Sequence, residues 1–417
     1  MPEFFNVLPP DEARELLFEY LTAVLPPETI PATDALNRVT ASPVFAPHAL
    51  PTFRRSTMDG YAVKAVNTYG ASESLPAFLN VIGEVPMGQA ASVTLLTGEA
   101  AIVHTGGMIP ETADAVVQIE HTQIVGAGRV DAPPYEIEVF KAVAVGQNVL
   151  QVGEDVQHQD EILPAGHLLR PQDLGGLLAL GIMEVNVTQR PRIGILATGD
   201  EVIPPANMAG PGQIRDINSY TVAGLTQQAG GIPVIGEIVA DDFAVLETAA
   251  ATMLAETDML VMSAGSSVSV RDMTVDVLNK LGKPGVLLHG VATRPGKPTI
   301  VGVVDNKPII GLPGNPVSAM VQFDMFGTPA IYRLQGVQQM PRRGLVWAKL
   351  SQNIASESGR EDYVPARLDD GADGLTATPV FGKSNLIYTL VNADGLIKIP
   401  LNKGGLLAGE WVEVRLF

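Results

Sequence analysis

Between residues 192 and 318 the chain alternates short apolar runs with segments of helical spacing, and this alternation narrows the fold more than any other feature. Ile193-Gly194-Ile195-Leu196-Ala197 is an apolar run that ends in Thr198-Gly199-Asp200. Residues 218–228 have helical spacing, 234–239 are apolar and extended, and 243–255 are helical again. A second buried-type strand over 259–262 ends in Ser263-Ala264-Gly265-Ser266-Ser267. A helix near 273–281, a strand over 308–311 and a helix after Pro316 complete the series. Such alternation predicts right-handed crossovers and a mostly parallel sheet. Ligands of open α/β sheets bind at the carboxyl ends of the strands, where the polar, Gly-rich loops fall here.

The flanks have other patterns. Ala13, Leu16, Leu17, Tyr20, Leu21 and Val24 predict a helix over 11–24, started by Pro9-Pro10 and Asp11. Residues 51–146 carry short β-rich segments (62–63, 78–82, 101–104, 115–119, 137–140), mostly separated by Gly-containing turns, as in a small all-β domain. A helix is expected over 174–180, with Pro171 near its start and Gly181 near its end. After about residue 342 the helical pattern stops, and strands are expected at 345–350, 363–368, 375–380, 396–399 and 411–416. The 42 glycines and 32 prolines fit this turn-rich reading and disfavour a helical bundle.

Charge and composition exclude several functions. The formal charge of −18, from 45 acidic and 27 basic residues, repels phosphate backbones, and no Lys/Arg run offers a local exception. Nucleic acid is therefore not an expected partner, and a small anionic substrate needs a local basic pocket. With no cysteine, disulfides, thiolate metal sites and a Cys nucleophile are excluded. Met1-Pro2-Glu3-Phe4-Phe5 lacks the basic region and apolar core of a signal peptide. The longest mostly apolar stretch, 174–187, is broken by Gly175, Gly176, Gly181 and Glu184 and is too short to span a bilayer. The expected protein is soluble and cytoplasmic, with no membrane partner.

Five segments carry candidate chemistry. Ser56-Thr57-Met58-Asp59-Gly60-Tyr61-Ala62-Val63, taken alone, reads as a turn before a strand. Thr198-Gly199-Asp200-Glu201 puts a hydroxyl and two carboxylates at a strand end, as a ligand site or as a helix cap. Ser263 to Ser267, followed by Asp272, offers backbone N–H groups and hydroxyls to a phosphate, or is a plain connecting loop. It lacks the P-loop and dinucleotide-fold glycine patterns. Arg294-Pro295-Gly296-Lys297-Pro298 places two cations on a stiff turn, and Leu312-Pro313-Gly314-Asn315-Pro316-Val317-Ser318 makes a second rigid turn between a strand and a helix. Prolines fix φ, so both are pre-organised for an oxyanion, or are surface turns with incidental charge.

Together these segments resemble one family, the molybdopterin molybdenumtransferases: the bacterial MoeA proteins and the E domains of gephyrin-like proteins. Residues 56–62 match the family's Ser-x-Met-Asp-Gly-Tyr-Ala. Thr105-Gly106 with residues 110–117, Gly153-Glu154-Asp155-Val156, residues 192–202, Arg215-Asp216-x-Asn218-Ser219-Tyr220, residues 294–298 and 311–318 match further motifs in order. The resemblance covers essentially the whole chain.

It implies a fold that is α/β plus all-β and multidomain. A discontinuous N-terminal linker domain (1–50 and 148–189) precedes and follows a β-rich inserted domain (51–147). A central α/β molybdopterin-binding domain (190–337) and a C-terminal β domain (338–417) complete it. It further implies an elongated homodimer whose active site is shared between subunits, and transient contact with the adenylylating enzyme of the same pathway. The implied reaction inserts molybdate into adenylylated molybdopterin with Mg²⁺ and releases AMP. By this resemblance Asp59, Thr105, Asp155, Glu201, Asp241 and Asp272 are the catalytic positions. Glu201, Asp241 and Asp272 hold the metal, and Asp59, Thr105 and Asp155 face them from the partner. Ser267, Arg294, Lys297, Pro298, Asn315, Ser318, Arg367 and Ser384 hold the pterin and the oxyanion.

The sequence departs from the family pattern in places. The loop Gly-Gly-Val-Ser-Val-Gly is here Ala264-Gly265-Ser266-Ser267-Val268-Ser269, with two glycines replaced. Arg294 stands for the first Lys of Lys-Pro-Gly-Lys-Pro, and another family Lys falls at Gly290. The C-terminal family arginine falls at Pro365. Arg367 is two residues on, a position that shares a strand face, and is the expected substitute. Two other functions fit parts of the pattern: a pyrophosphatase acting on a nucleotide or adenylylated pterin, and a dimeric scaffold.

Overall fold

The computed structural model describes residues 7–126, 132–264, 268–371 and 374–417, and leaves the side chains of 264 and 268–272 undescribed. Contacts divide the chain into two compact units, one of Met1–Ser42, Ala165–Leu174 and Met183–Phe417, the other of Pro43–Pro164 and Gly175–Ile182.

In the larger unit, Arg192–Ala197 lies in the middle of a parallel run, flanked by Ile232–Ile235 and Met259–Ala264, with Lys307–Pro313 beyond the latter. Ile193, Ile195, Met259 and Val261 pack into one core, while Leu196, Leu260 and Met262 pack into another. Both faces of Arg192–Ala197 and Met259–Ala264 are buried, which explains why these two read as continuous apolar runs, while the edge strand Ile232–Ile235 stays partly exposed. Helices Asn218–Gln228, Phe243–Glu256, Val268–Lys280 and Pro316–Gln322 follow the parallel strands or connect them. The helix Phe243–Glu256 starts where the Asp242 carboxylate accepts from the backbone N–H groups of Ala244 and Val245, each at 3.0 Å.

Three differences from the sequence expectation have local causes. The sheet gains two antiparallel strands, Pro284–His289 and Ile300–Val304, at one edge. They depend on a hairpin whose two-residue turn, Asp305-Asn306, has both φ values positive (48° and 65°), the geometry that matches strand twist. The extended segment expected over 234–239 is a strand only over Ile232–Ile235, and Val239 makes a single parallel bridge to Thr198. The first helix, Pro10–Tyr20, has Pro at its first turn as expected but stops short of Val24. The chain beyond it has no regular structure as far as residue 26, and the Leu25 N–H donates to the Leu334 carbonyl at 2.9 Å.

The C-terminal strands close on themselves. Glu361–Gly371, Gly374–Pro379, Leu345–Leu350, Trp411–Leu416 and Gly395–Ile399 pair in that order, and the last pairs back with the first. Ala348, Leu350, Ala366, Ala377, Ile397, Val412 and Val414 fill this five-stranded barrel. A short strand, Thr293–Arg294, adds in parallel to Glu361 and Asp362, so the cationic turn grows from the barrel wall.

The smaller unit is built on a six-stranded sheet in the order Ala115–Gln118, Gly60–Val63, Glu99–Val103, Ala77–Glu84, Tyr135–Val139, Thr122–Ile124. All pairings are antiparallel except that between Ala77–Glu84 and Glu99–Val103. Among the described residues no helix is long and apolar enough to cross a membrane.

Candidate functional site

The carboxyl ends of the parallel strands line a cleft of about 400 Å³, with Thr198, Glu201, Asp216, Asn218, Ser263 and Asn315 on its wall. Asn218 starts its helix at this end. Its side-chain amide donates to Ser263 Oγ and to the Gly314 carbonyl, both at 2.9 Å, and so ties two strand ends together. Thr198 Oγ1 and Asn218 Oδ1, on two of the lining residues, are buried with no hydrogen-bond partner among the described residues. An unpaired buried polar group costs about 1–3 kcal/mol, so two on one cleft wall call for an explanation, and a polar ligand is one.

Beside this cleft the Asp241 carboxyl is pushed up by burial and by the negative charges of Asp200 and Glu201. Its Oδ1 is buried without a partner, and its backbone N–H donates to Asp200 Oδ1 at 3.3 Å. A cation would relieve both the orphaned oxygen and the like-charge repulsion. The Asp272 side chain and Ser267 lie outside the described residues. Among those described, no three His, Asp or Glu side chains converge as a metal-holding group.

A second cleft, of about 770 Å³, lies between the rigid turns and the barrel. It shares Asn315 and Asn385 with the first. Arg294, Lys297, Arg360 and Lys383 line it, against one carboxylate among the described lining residues, Asp362. In a chain of net charge −18 this is the local basic pocket that an anionic substrate requires. Asp362 is buried and takes the Arg360 Nε at 2.9 Å, with Arg294 at 3.7 Å, while Arg360 also pairs with Glu357 at 2.8 Å. Ser318 is buried on the wall. Ser384 Oγ accepts from the Asn315 side-chain amide at 3.0 Å, which leaves its hydroxyl hydrogen to donate elsewhere.

In the smaller unit, Asp59 Oδ1 accepts from the Thr105 backbone N–H at 2.8 Å and from its hydroxyl at 3.2 Å. The backbone hydrogen bond, then the hydroxyl, lower the Asp59 carboxyl and keep it ionised. The loop is held close: Ser56 N–H donates to the Gly107 carbonyl at 2.9 Å, and Gly106 N–H donates back to Ser56 at 2.8 Å. Gly60 is required because a Cβ there would sit 1.9 Å from the Val117 carbonyl oxygen. Asp155 is exposed, and its backbone N–H donates to Leu50 at 3.0 Å.

The structure therefore groups Asp59 with Thr105, Glu201 with Asp241, and Arg294, Lys297, Pro298, Asn315, Ser318 and Ser384 in the cationic cleft. Arg367 is not on that cleft; its guanidinium is exposed and pairs with Asp369 at 3.1 Å. Strand period puts positions 365 and 367 on one face but does not fix how far along the strand the cleft reaches. Tyr363, Val364 and Pro365 line the cleft, and by Arg367 the strand has passed it. Sequence reasoning missed Arg360, Asp362, Lys383 and Asn385. The one usable signal was the position of Lys383 and Asn385 on either side of Ser384.

Residues 8–181 match a family model described as the MoeA N-terminal region (domain I and II). Residues 194–333 match a probable molybdopterin binding domain, and 347–417 the MoeA C-terminal region (domain IV). A putative molybdopterin biosynthesis protein of Methanocaldococcus jannaschii is 36% identical over 423 residues, covering 99% of this chain and 98% of its own. The chain belongs to the MoeA family. Another relative, molybdopterin molybdenumtransferase 2 of Mycobacterium tuberculosis, is 33% identical over 93% of this chain and 94% of its own. The molybdopterin molybdenumtransferase of Haemophilus influenzae is 31% identical over 98% of both. The crystal structure of the molybdopterin biosynthesis MoeA protein from Pyrococcus horikoshii OT3 superposes with a TM-score of 0.81 at 30% identity, covering 99% of this chain and 100% of that one. The multidomain architecture of mixed sheets, helices and a barrel is that of the MoeA family. The strand-end cleft draws its wall chiefly from the second matched segment, and the third brings Arg360, Lys383 and Ser384 to the cationic cleft.

Proposed function

We propose that this chain is a molybdopterin molybdenumtransferase that inserts molybdate into adenylylated molybdopterin and releases AMP, working in the cytoplasm as a homodimer. One observation carries the reading: a polar strand-end cleft with the orphaned, buried Thr198 hydroxyl on its wall adjoins a cationic cleft, and the two share Asn315 and Asn385. The first suits the polar pterin phosphate, the second a tetrahedral dianion, and their shared wall brings the two substrates together. Lys297 and Arg294 hold molybdate by charge-assisted hydrogen bonds, with Ser318 and Ser384 donating hydroxyls and Pro298 stiffening the turn. Ser267 contributes to the pterin side.

Release of AMP requires water to attack the phosphoanhydride, breaking one P–O bond and leaving a phosphate on each product. Glu201 and Asp241, with Asp272, would hold Mg²⁺, whose chemistry there is to neutralise the charge of the leaving phosphate. Asp59, Thr105 and Asp155 of one copy face the clefts of the other. The Asp59–Thr105 pair keeps an ionised acceptor oriented for water or ribose. Substrate arrives by transient contact with the enzyme that adenylylates it.

The test is in vitro assembly from adenylylated molybdopterin and molybdate, with AMP and pterin-bound molybdenum measured together. One molybdenum incorporated per AMP released is expected. AMP release without metal incorporation would instead make the protein a pyrophosphatase.

A further inference from the structure

We propose that Lys383, on the loop after barrel strand Gly374–Pro379, is the barrel-side anion-binding residue of the cationic cleft that Lys297 also lines. The proposal rests on the functional reading above and deepens it.

The charges of the cleft are unequally committed. Arg360 is taken by Asp362 and Glu357, and Arg294 lies near the same Asp362. Lys297 and Lys383 line the cleft with no ion-pair partner among the described residues. They come from different elements, one from the turn after Thr293–Arg294, the other from the loop after Gly374–Pro379. Two uncommitted cations match the charge of one tetrahedral dianion.

The loop that carries Lys383 is fixed. Val317 N–H donates to the Ser384 carbonyl at 3.1 Å, and the Asn315 amide donates to Ser384 Oγ at 3.0 Å. Leu386 N–H donates to the Lys383 carbonyl at 3.0 Å. Gly382 packs so closely on the short helix Tyr388–Val391 that a Cβ would lie 2.4 Å from Thr389 Cγ2. A flexible four-carbon stem on a rigid anchor lets the ammonium follow the anion while the backbone stays in place. Arg367, the substitute expected from strand period, is held by Asp369 off this cleft.

The experiment is isothermal titration of the full-length protein with sodium molybdate, and separately with AMP, for wild type, Lys383→Gln, Lys383→Arg, Lys297→Gln and Arg367→Ala. Loss of one charge-assisted contact should raise the molybdate Kd of Lys383→Gln and Lys297→Gln about tenfold. Lys383→Arg, which keeps the charge, should return to within about threefold of wild type. Arg367→Ala and all AMP affinities should stay at wild-type values. An unchanged molybdate Kd for Lys383→Gln, with Lys297→Gln weakened, overturns the role of Lys383 alone. Weakened AMP binding with molybdate unaffected also overturns it, assigning the lysine to the nucleotide phosphate. A wild-type protein that binds AMP but no molybdate overturns the functional reading itself.

Discussion

Gln322, fully buried in the helix after the second rigid turn, donates its side-chain amide to the Pro295 carbonyl at 2.9 Å and so holds the first turn from behind. The same amide donates to Thr293 Oγ1 at 3.0 Å. Gly296 is then forced to be glycine. Its φ is +102°, and a Cβ would lie 2.3 Å from Gln322 Cγ. Gly296→Ala should cost about 1–3 kcal/mol through this strain and displace Lys297. Calorimetry should show a lower Tm and titration a weaker molybdate affinity. A variant with wild-type Tm would show that the turn tolerates the side chain.

If Asp241 holds Mg²⁺ as proposed, the stability of the chain should respond to divalent cation. Burial and the charges of Asp200 and Glu201 raise its carboxyl. A raised acid costs stability once ionised; the cost vanishes below the unfolded value near 3.9 and is complete above the folded pKa. Asp241→Asn should therefore be neutral to stabilising at pH 7 without metal. Mg²⁺ should raise the wild-type Tm and leave that of Asp241→Asn unmoved. Equal Mg²⁺ responses in both proteins would remove Asp241 from the metal.

If the active site is shared between copies, inactive Asp59→Asn and Glu201→Gln chains should complement each other. A mixed dimer contains one composite site with both wild-type residues, so up to about half of the wild-type specific activity per dimer should return. The check is turnover after heterodimer formation is verified by mass. No recovery would place both residues in the same copy's site.

Asp173 predicts an acid-sensitive node away from the clefts. Burial pushes its carboxyl up, but hydrogen bonds from Arg170 and His167 at 2.8–2.9 Å prevail and hold it at about 2. A depressed carboxyl contributes stability that is present above the unfolded value near 3.9 and lost as pH falls toward the folded one. The Tm gap between wild type and Asp173→Asn should be full at pH 6 and shrink between about pH 4 and 2. A gap independent of pH would show that packing, not charge, is what the substitution removes.

The parallel core was legible because its inner strands are buried on both faces, so runs such as Ile193 to Ala197 carry the signal locally. The pair Pro284–His289 and Ile300–Val304 was not, since their place depends on the Asp305-Asn306 turn and on partners that the apolar pattern does not name. The same limit applies to the cationic cleft. Arg294 and Lys297 announce themselves on a proline-stiffened turn, whereas Lys383 reaches the cleft only because Asn315 and Val317 bind its neighbour Ser384. Arg367 shows the converse: strand period fixes a face, but whether the cavity extends that far along the strand depends on the tertiary fold.

The barrel's strand ring also limits how the chain can associate. A ring in which Gly395–Ile399 pairs back to residues 362–366 of Glu361–Gly371 leaves less free sheet margin than an open sheet of five strands would. Intruding polypeptide is thereby offered less of a template of unpaired N–H and carbonyl groups. Recognition of this module by another protein is then carried more by side chains than by strand addition, and substitutions on its outer surface can retune such recognition without disturbing the strand register.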